Sequence, residues 1–312
     1  MTSHPFTAVS LKTYISGIDA AFEPENIADS LIMAGQDVKM LIPAALYDKL
    51  CETLPLLNNE VWTEARERLR YCMAPLAFHK HFIWLQLRVS SNSITTVKSN
   101  SETTAFKYQA DEAKENLLLR HGVFFKEMID YFNEQADIIT EWKTSDEKIE
   151  LDSLFIKSYR DFDKHYNTNG DAAFFIRSRT IQQEAMDEAN AFTNLANVDK
   201  AVAPDRDEVL ILKLKKAIVY LTISRCIAEW ADEYLPLPLR KNISEDTAKT
   251  KGATTDSTKT NLASKYATFA KSFLIDVQNR QAVKKSAIDA PGAPVVLSTE
   301  TINIAAKFYS SI

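Results

Sequence analysis

Two long segments of the chain carry apolar residues at alternating steps of three and four positions. The first runs from Trp62 to Leu87 and the second from Leu210 to Leu235. Such spacing puts the apolar side chains on one face of an α-helix. The second segment has further apolar residues between the spaced ones, and a helix that is apolar on most sides lies at the centre of a bundle. The pattern predicts an all-α fold, in which Pro75 kinks or splits the first helix.

The two segments align with each other, and so do the segments that follow them. Leu69 pairs with Leu214 at a separation of 145 positions. A polar stretch follows each segment and leads to a further amphipathic segment, where Phe106 pairs with Leu262 at a separation of 156 positions. We interpret the alignment as a tandem duplication, with a longer polar loop in the second copy. Ordinary helical periodicity is the alternative explanation for such an alignment.

The predicted architecture is therefore two tandem helical-bundle repeats with long polar loops and an extended C-terminal arm. Residues 1–145 form the first repeat, residues 146–285 the second, and residues 286–312 the arm. The arm is expected to be extended because prolines and a glycine end the helical pattern before Val295-Val296-Leu297, where β-branched residues favour strand-like backbone.

Glycine is scarce, since the chain has 6 where average usage of about 7% gives roughly 22. The six glycines never cluster, so the sequence has no P-loop, no G-x-G-x-x-G dinucleotide turn and no G-x-S-x-G nucleophile elbow. Gly35 is expected to cap the end of a short opening helix, and Asn169-Gly170 to form a turn. We predict nearly continuous helix, with no catalytic residue and no bound cofactor.

Charge is distributed unevenly along the chain. Residues 1–150 carry 15 basic and 22 acidic side chains, whereas residues 151–312 carry 22 basic and 20 acidic ones. The formal net charge of the whole chain, −5, gives no reason to expect strong nucleic-acid binding. Two interpretations of the asymmetry are open. One is chance, and the other is a head-to-tail contact in a ring, where opposite faces of neighbouring subunits attract each other.

The chain is expected to belong to a reducing compartment. Its first residues lack the features of a signal peptide, and no stretch approaches the roughly 20 apolar residues that span a bilayer. The three cysteines are odd in number, widely spaced and placed among apolar neighbours: Cys51, Cys72 and Cys226. They are predicted to be buried thiols of a protein that is cytoplasmic or assembled in a cytoplasm.

No convincing metal site is visible in the sequence. His79-Lys80-His81 has a spacing of two, which points the rings in opposite directions, whereas metal-binding helices use i, i+4. The polar turn Asp161–Asp171, which contains His165, does not meet the register of a calcium loop. His121, beside Gly122, is expected to mark a structural kink. The sequence therefore predicts no metal ligand.

Basic residues recur at equivalent places in the two central helices: Arg66, Arg68 and Arg70 in the first, and Lys213, Lys215 and Lys216 in the second. A solvated helix face is one explanation. A basic strip at an acidic partner surface, or near packaged nucleic acid, is the other, because attraction to phosphates needs no reading of bases. The absence of a recognition-helix signature argues against sequence-specific DNA binding.

The order of elements carries a resemblance to a known family. A short helix precedes Met40-Leu41-Ile42-Pro43-Ala44-Ala45-Leu46-Tyr47-Asp48-Lys49-Leu50, and a long central helix, a variable polar loop and a closing helix follow. This order resembles the helical head–tail connector (adaptor) proteins of tailed bacteriophages. The doubled form is similar to uncharacterised proteins of phages and prophages of Bacteroidota. The second repeat departs from the motif, since Ile181-Gln182-Gln183-Glu184-Ala185 lacks the proline and the tyrosine.

The resemblance implies a structural virion protein that forms a homo-oligomeric ring between the portal and the tail, without catalytic residues. Its partners would be further copies of itself, the portal protein and another neck or tail protein, with packaged DNA nearby and no membrane. Residues 90–104 and 242–261 would be partner-facing loops, and residues 294–312 a portal-docking arm. The predicted interface residues are Ser91, Asn92, Thr96, Thr254, Thr255, Val295, Val296, Phe308 and Tyr309. The alternative is a cytoplasmic helical enzyme or regulator whose site forms only in three dimensions.

Overall fold

The structure is a computed structural model that describes residues 4–6, 11–15, 27–52, 60–85, 87–89, 94–96, 107–195, 198, 207–249 and 254–289. The all-α prediction is confirmed: apart from one short hairpin, the regular structure of these residues is helical. The chain forms two compact units, which follow the two predicted repeats except that residues 146–153 and 170–177 of the second repeat belong to unit 1. Unit 1 comprises Met1–Ser153 and Gly170–Arg177, and unit 2 comprises Leu154–Asn169 and Ser178–Ile312. The predicted boundary at residue 145 lies shortly before the first crossing from unit 1 to unit 2.

The described part of unit 1 contains a short 3-10 helix at Leu11–Thr13, seven α-helices and a hairpin. The helices are α1 (Ala28–Lys39), α2 (Ala44–Cys51), α3 (Glu60–Leu85), α4 (Lys107–Glu134), α5 (Thr140–Lys143), α6 (Asp146–Ser153) and α8 (Ala172–Arg177). The strands β1 (Leu87–Val89) and β2 (Ile94–Thr96) pair antiparallel, with Leu87 opposite Thr96. The hairpin falls partly within the stretch that was predicted to be a polar loop, and the rest of residues 90–104 lies outside the described residues.

The core of unit 1 forms where α3 packs along α4 and α1 packs against α3. Leu69 and Met73 on α3 and Phe125 and Phe132 on α4 have no solvent exposure. The short α8 adds to this core, since it packs on α4 and all its apolar residues are buried. The burial of these side chains supplies the main driving force for the unit, because apolar surface removed from water contributes about 25 cal/mol per Å².

One prediction about a break in unit 1 is wrong. Gly35 does not end the opening helix, because α1 continues to Lys39 and Gly35 is a buried interior residue. Of the two effects predicted for Pro75, a kink or a split, the split does not occur, since α3 runs without interruption from Glu60 to Leu85. Proline removes one backbone donor from a helix and crowds the preceding turn. Nδ1 of His121 on α4 lies 2.9 Å from the carbonyl oxygen of Cys72, within that turn, and gives this oxygen a further partner.

The described part of unit 2 repeats this plan around a more apolar centre. Its helices are α7 (Tyr159–Asp163), α9 (Arg179–Asn190), α10 (Glu208–Glu229), α11 (Leu237–Lys249) and α12 (Thr255–Asp289), with a 3-10 helix at Asp232–Tyr234. Asp207 caps the N-terminus of the central helix α10, since its carboxylate accepts the N–H of Leu210. Helix α12 packs along α10, and α9 packs against α10. The predicted turn at Asn169-Gly170 is confirmed, because both residues have positive φ, 61° and 67°.

The prediction that residues 242–261 form a polar loop is wrong. Most of these residues are helical, since α11 extends to Lys249 and α12 begins at Thr255. Polar composition does not prevent helix formation where a few apolar residues reach the core, and in α11 Leu239 and Ile243 are buried. The sequence pattern failed here because helical stability in proteins comes mostly from tertiary packing rather than from composition.

The buried positions of the two central helices coincide at the predicted separation of 145 positions. Leu69 and Leu214 are both fully buried, and so are Met73 and Ile218. The closing helices do not follow the predicted separation of 156. Phe124 of α4 packs on Tyr71, and Phe273 of α12 lies under Lys216, which is the residue equivalent to Tyr71. These contacts match at a separation of 149, one heptad less, so the insertion in the second repeat is shorter than the sequence alignment indicated.

Candidate functional site

The structure reaches only some of the predicted interface residues. Ser91 and Asn92 of the first polar stretch lie outside the described residues, as do Val295, Val296, Phe308 and Tyr309 of the C-terminal arm. Thr96 is the last residue of β2, where its backbone pairs with that of Leu87. The proposed roles of the arm and of residues 91 and 92 therefore stay predictions.

Thr254 and Thr255 lie at the N-terminus of α12 rather than in a loop. The hydroxyl of Thr254 accepts the N–H of Ser257 at 3.2 Å, and the hydroxyl of Ser257 accepts the N–H of Thr254 at 3.0 Å. This reciprocal pair satisfies backbone donors that the first turn of a helix leaves without partners. Both threonines are exposed, so their position is compatible with an interface, while the hydrogen bonds of Thr254 already have a structural purpose.

His79 and His81 on α3 are separated by Lys80, which forms an ion pair with α1. Nζ of Lys80 lies 2.7 Å from Oδ2 of Asp37 on α1, and Nδ1 of His81 lies 3.5 Å from the hydroxyl of Ser30. Among the residues that the structure describes, no three His, Cys, Asp or Glu side chains come together as a metal ion would require.

Unit 2 has an ion pair at the place equivalent to that of Lys80 and Asp37. Arg225 occupies the position equivalent to Lys80, and its guanidinium lies 2.7 Å from Oε2 of Glu188 on α9, the counterpart of α1. The four charged side chains are between a fifth and three tenths exposed, so they interact in a partly desolvated setting. We call these two contacts the braces. Each one ties the opening helix of its repeat to the central helix.

Cys72 and His121 of unit 1 lie close together in surroundings that make neither of them reactive. Sγ of Cys72 lies 3.4 Å from Nδ1 of His121. Burial raises the pKa of the Cys72 thiol, and burial lowers the pKa of His121 to about 4. The cysteine is therefore protonated and the histidine neutral near pH 7, the opposite of the thiolate–imidazolium pair that a nucleophilic cysteine needs. The predicted burial of all three cysteines is confirmed.

The basic residues at the start of the central helices are engaged by their own unit. Arg66 donates to the carbonyl oxygens of Leu50 and Glu52, and Arg70 donates to that of Pro5. In unit 2 the carboxylates of Asp276 and Asp161 pair with the lysines in the equivalent region, Lys213 and Lys215. Much of this charge therefore serves to hold segments of the same unit together.

Unit 2 exposes an aromatic and basic surface that the sequence pattern did not predict. Phe269 follows the same apolar spacing as the buried Leu262 and Tyr266 of its helix, yet 41% of its surface is exposed. Its ring contacts Tyr220, which in turn stacks on Phe273. Two ammonium groups flank the rings, with Lys265 5.9 Å from the centroid of Phe269 and Lys216 5.6 Å from that of Phe273.

Leu212 lies one helical turn before Lys216 on α10 and is 45% exposed. We call Leu212, Lys216, Lys265 and Phe269 the aromatic surface, with Tyr220 and Phe273 as its base. Aromatic side chains in such a partly exposed setting are typical of interaction sites, because they offer large apolar area together with attraction to cations.

Unit 1 exposes a different stripe along α4, formed by Glu112, Asn116, Leu119, Val123 and Glu127. Steps of three and four place these residues on one face of the helix. Leu119 is 39% and Val123 is 53% exposed, and the two carboxylates lie at either end. We call this set the acidic stripe. Its sequence signal is a pair of apolar residues outside the spaced positions that mark the buried face of α4.

Comparisons with known proteins place the chain in a family without assigning it a function. A family model described as a family of unknown function (DUF6712) matches residues 38–150 and again residues 166–280. The chain belongs to this family and contains two tandem copies of its unit, in agreement with the predicted duplication. No significant match was found among curated proteins or among solved structures. None of the described helices combines the length and the apolar composition that a membrane span requires.

Proposed function

We propose that this doubled member of the DUF6712 family is a structural protein of a tailed bacteriophage. In this proposal it is a head–tail connector, whose copies form a ring between the portal and the tail in the neck of the virion. The starting point is the resemblance of its order of elements to connector proteins. Assembly would take place in the cytoplasm of the bacterial host.

The observation that carries the proposal is the brace found in both repeats. Lys80 with Asp37 and Arg225 with Glu188 connect equivalent helices at equivalent positions. Both repeats therefore have an ion pair between the opening and the central helix, although the residues that form it differ between the copies. A frame that is built twice and tied in the same way suits a protein whose task is to hold a shape within an assembly.

The polar chemistry of the described core supports the same function. Cys72 and His121 are held in their unreactive protonation states by burial. Tyr166 and Tyr266 bond to each other through their hydroxyls at 3.1 Å, and burial raises the pKa of Tyr166. These groups stabilise the packing of helices, and none of them is prepared for nucleophilic or acid–base catalysis near pH 7.

The partners follow from the position that the proposal gives the protein. The ring would contact the portal protein on one side and a further neck or tail protein on the other, with packaged DNA passing nearby. Docking on the portal is assigned to the C-terminal arm, with Val295, Val296, Phe308 and Tyr309 as its apolar contacts. Thr254 and Thr255, at the exposed start of α12, are assigned to a neighbouring ring.

The test measures assembly of the full chain, alone and with the portal protein encoded in the same genome. Mass photometry and negative-stain electron microscopy should detect closed rings, and the portal should bind them. A matched variant that ends at Ala293 should still form rings but bind the portal at least tenfold more weakly. The proposal fails if the full chain stays monomeric at every concentration both with and without the portal. A monomer would favour the alternative, a helical enzyme or regulator.

A further inference from the structure

We propose that the acidic stripe of one copy docks on the aromatic surface of the next copy, which makes the contact between subunits head-to-tail. This inference rests on the proposed ring and names the residues that would build it. On one side are Glu112, Leu119, Val123 and Glu127 of α4. On the other are Leu212, Lys216, Lys265 and Phe269 of α10 and α12.

The two surfaces match in chemistry and in arrangement. Leu119 and Val123 form an apolar centre with a carboxylate beyond each end. The aromatic surface has apolar residues of similar exposure, with two ammonium groups beside the rings. Stable interfaces between proteins have this composition, an apolar centre surrounded by a polar rim. The opposite charges favour this register and oppose the pairing of two identical surfaces.

A comparison with unit 1 shows why the aromatic surface needs a partner. The position equivalent to Phe269 in unit 1 is Arg120, which donates to the carbonyl oxygen of Tyr14. The position equivalent to Lys216 is Tyr71, whose ring lies 4.9 Å from that of Tyr14. The N-terminal segment thus covers this face of unit 1, and its Phe6, Leu11 and Tyr14 are buried.

Among the residues of unit 2 that the structure describes, the corresponding cover is incomplete. Tyr166 packs against Tyr220 and Tyr266, but Phe269 and Leu212 keep more than two fifths of their surface exposed. A second copy supplies what is missing, since its unit 1 carries an apolar stripe with the opposite charge. Because the two surfaces belong to different units, the contact is heterologous, and heterologous contacts generate rings when the rotation closes.

The first experiment uses two full-length variants, each disabled on one side. Leu119→Asp/Val123→Asp removes the apolar centre of the stripe, and Leu212→Asp/Phe269→Asp removes that of the aromatic surface. Each variant alone should associate at least tenfold more weakly than the unchanged chain. A mixture of the two should form a 1:1 dimer and nothing larger, because each variant keeps the surface that the other has lost. Sedimentation velocity measures both results.

A second pair of variants tests the charges without touching apolar packing. Glu112→Lys/Glu127→Lys should fail to assemble by itself, and so should Lys216→Glu/Lys265→Glu. Mixed together, they should associate more tightly than either does alone. Ile149→Asp is the matched control, since Ile149 on α6 is 57% exposed and lies outside both surfaces. This control should assemble like the unchanged chain, and circular dichroism verifies that every variant is folded.

The outcomes separate this inference from the proposed function. If all variants form the same rings as the unchanged chain, the ring uses other surfaces, so the docking inference is wrong while the connector proposal stands. If folded variants lose assembly but the mixtures do not restore it, the pairing of these two surfaces is wrong. If single-stranded DNA binds the unchanged chain and the Leu212→Asp/Phe269→Asp variant loses that binding without a change in assembly, the aromatic surface is a nucleic-acid site and the inference is overturned.

Discussion

Units 1 and 2 share one helical frame but fill it differently. Where Cys72 of α3 meets His121 of α4 in unit 1, the equivalent positions in unit 2 are Ala217 and Ala270, both fully buried. The braces, by contrast, occur in both units. The comparison teaches that the frame depends on apolar spacing and on the contact between the opening and the central helix, whereas the residues between the helices tolerate exchange.

The units also differ in what remains exposed. Unit 1 presents apolar residues together with carboxylates on α4, and unit 2 presents an aromatic ring together with ammonium groups. The uneven charge of the two halves of the sequence therefore has a local counterpart on these surfaces. The head-to-tail contact proposed above depends on this divergence of the exposed residues between two copies of one fold.

The largest effect should come from truncating the residue that both central helices bury completely. Leu69→Ala should destabilise unit 1 and Leu214→Ala unit 2, each by about 2–5 kcal/mol, because the loss of apolar contact adds to the cost of a cavity. Hydrogen exchange measured by mass spectrometry follows α3 and α10 separately. Equal losses confirm equivalent positions, whereas a large loss in one unit alone contradicts the separation of 145 positions.

The next effect depends on pH and concerns unit 1. Because burial lowers the pKa of His121 to about 4, the unfolded chain binds a proton between pH 6.5 and 4 that the folded chain does not. Stability should therefore fall as the pH falls through this range, by up to about 1.4 kcal/mol per pH unit for one proton. Urea unfolding followed by tryptophan fluorescence reports mainly unit 1, which contains Trp62, Trp84 and Trp142.

Cys72→Ala/His121→Ala installs the alanine pair of unit 2 in unit 1 and is the control for this effect. The stability of this variant should depend less steeply on pH between 6.5 and 4. Some dependence should remain, because burial also lowers the pKa of His81 and of His165, which are present in both proteins. An unchanged slope would contradict the prediction, because it would mean that the folded and the unfolded chain bind a proton at His121 equally in this pH range.

The braces should contribute a smaller and equal amount to the two units. Asp37→Asn and Glu188→Gln should each destabilise their unit by about 0.5–1 kcal/mol, because partly exposed ion pairs are weakened by solvent. A double-mutant cycle with Lys80→Met for the first brace, and with Arg225→Met for the second, isolates the pair from other effects. A coupling energy present in one unit and absent in the other would remove the equivalence on which the comparison depends.

The last effect is a stabilisation of similar size. Gly122 lies inside α4, and a Cβ built there meets no atom within 4 Å. Gly122→Ala should stabilise unit 1 by about 0.5–1 kcal/mol, since glycine loses more backbone entropy in a helix than alanine does. The equivalent residue of unit 2 is Lys271, so Lys271→Gly compared with Lys271→Ala should show a cost of similar size. Thermal unfolding of the three variants and the unchanged chain measures both differences.

Much of the fold was accessible from the sequence because apolar spacing encodes helices directly. The central helices, their register at 145 positions and the turn at Asn169-Gly170 were all predicted correctly. The closing helices were misaligned by one heptad because seven residues span nearly two whole turns, so a shifted alignment still matches apolar with apolar. Contacts such as Tyr71 with Phe124 are needed to choose between the two registers.

The candidate surfaces were much less accessible. Phe269 follows the same spacing as buried residues of α12, and its exposure depends on which segment covers that face. Lys80 and Arg225 correspond at the separation of 145 positions, but their acidic partners lie on another helix and could not be identified from the sequence. Sequence spacing reports neighbours on one helix, whereas contacts between helices require the arrangement of the whole unit.

The sequence by itself determined that this chain is a helical protein, because the period of its apolar residues and the scarcity of glycine leave few other structures open. The alignment of its two halves indicated the duplication, which the two matches of the family model confirm. The tertiary structure decided which side chains each frame buries, pairs or leaves exposed. It leaves Phe269 and Leu119 partly exposed, and it makes part of a polar stretch the first turns of α12. The physical reason is that helix formation is encoded locally, whereas burial and ion pairing depend on residues that are distant in the chain and meet only after folding.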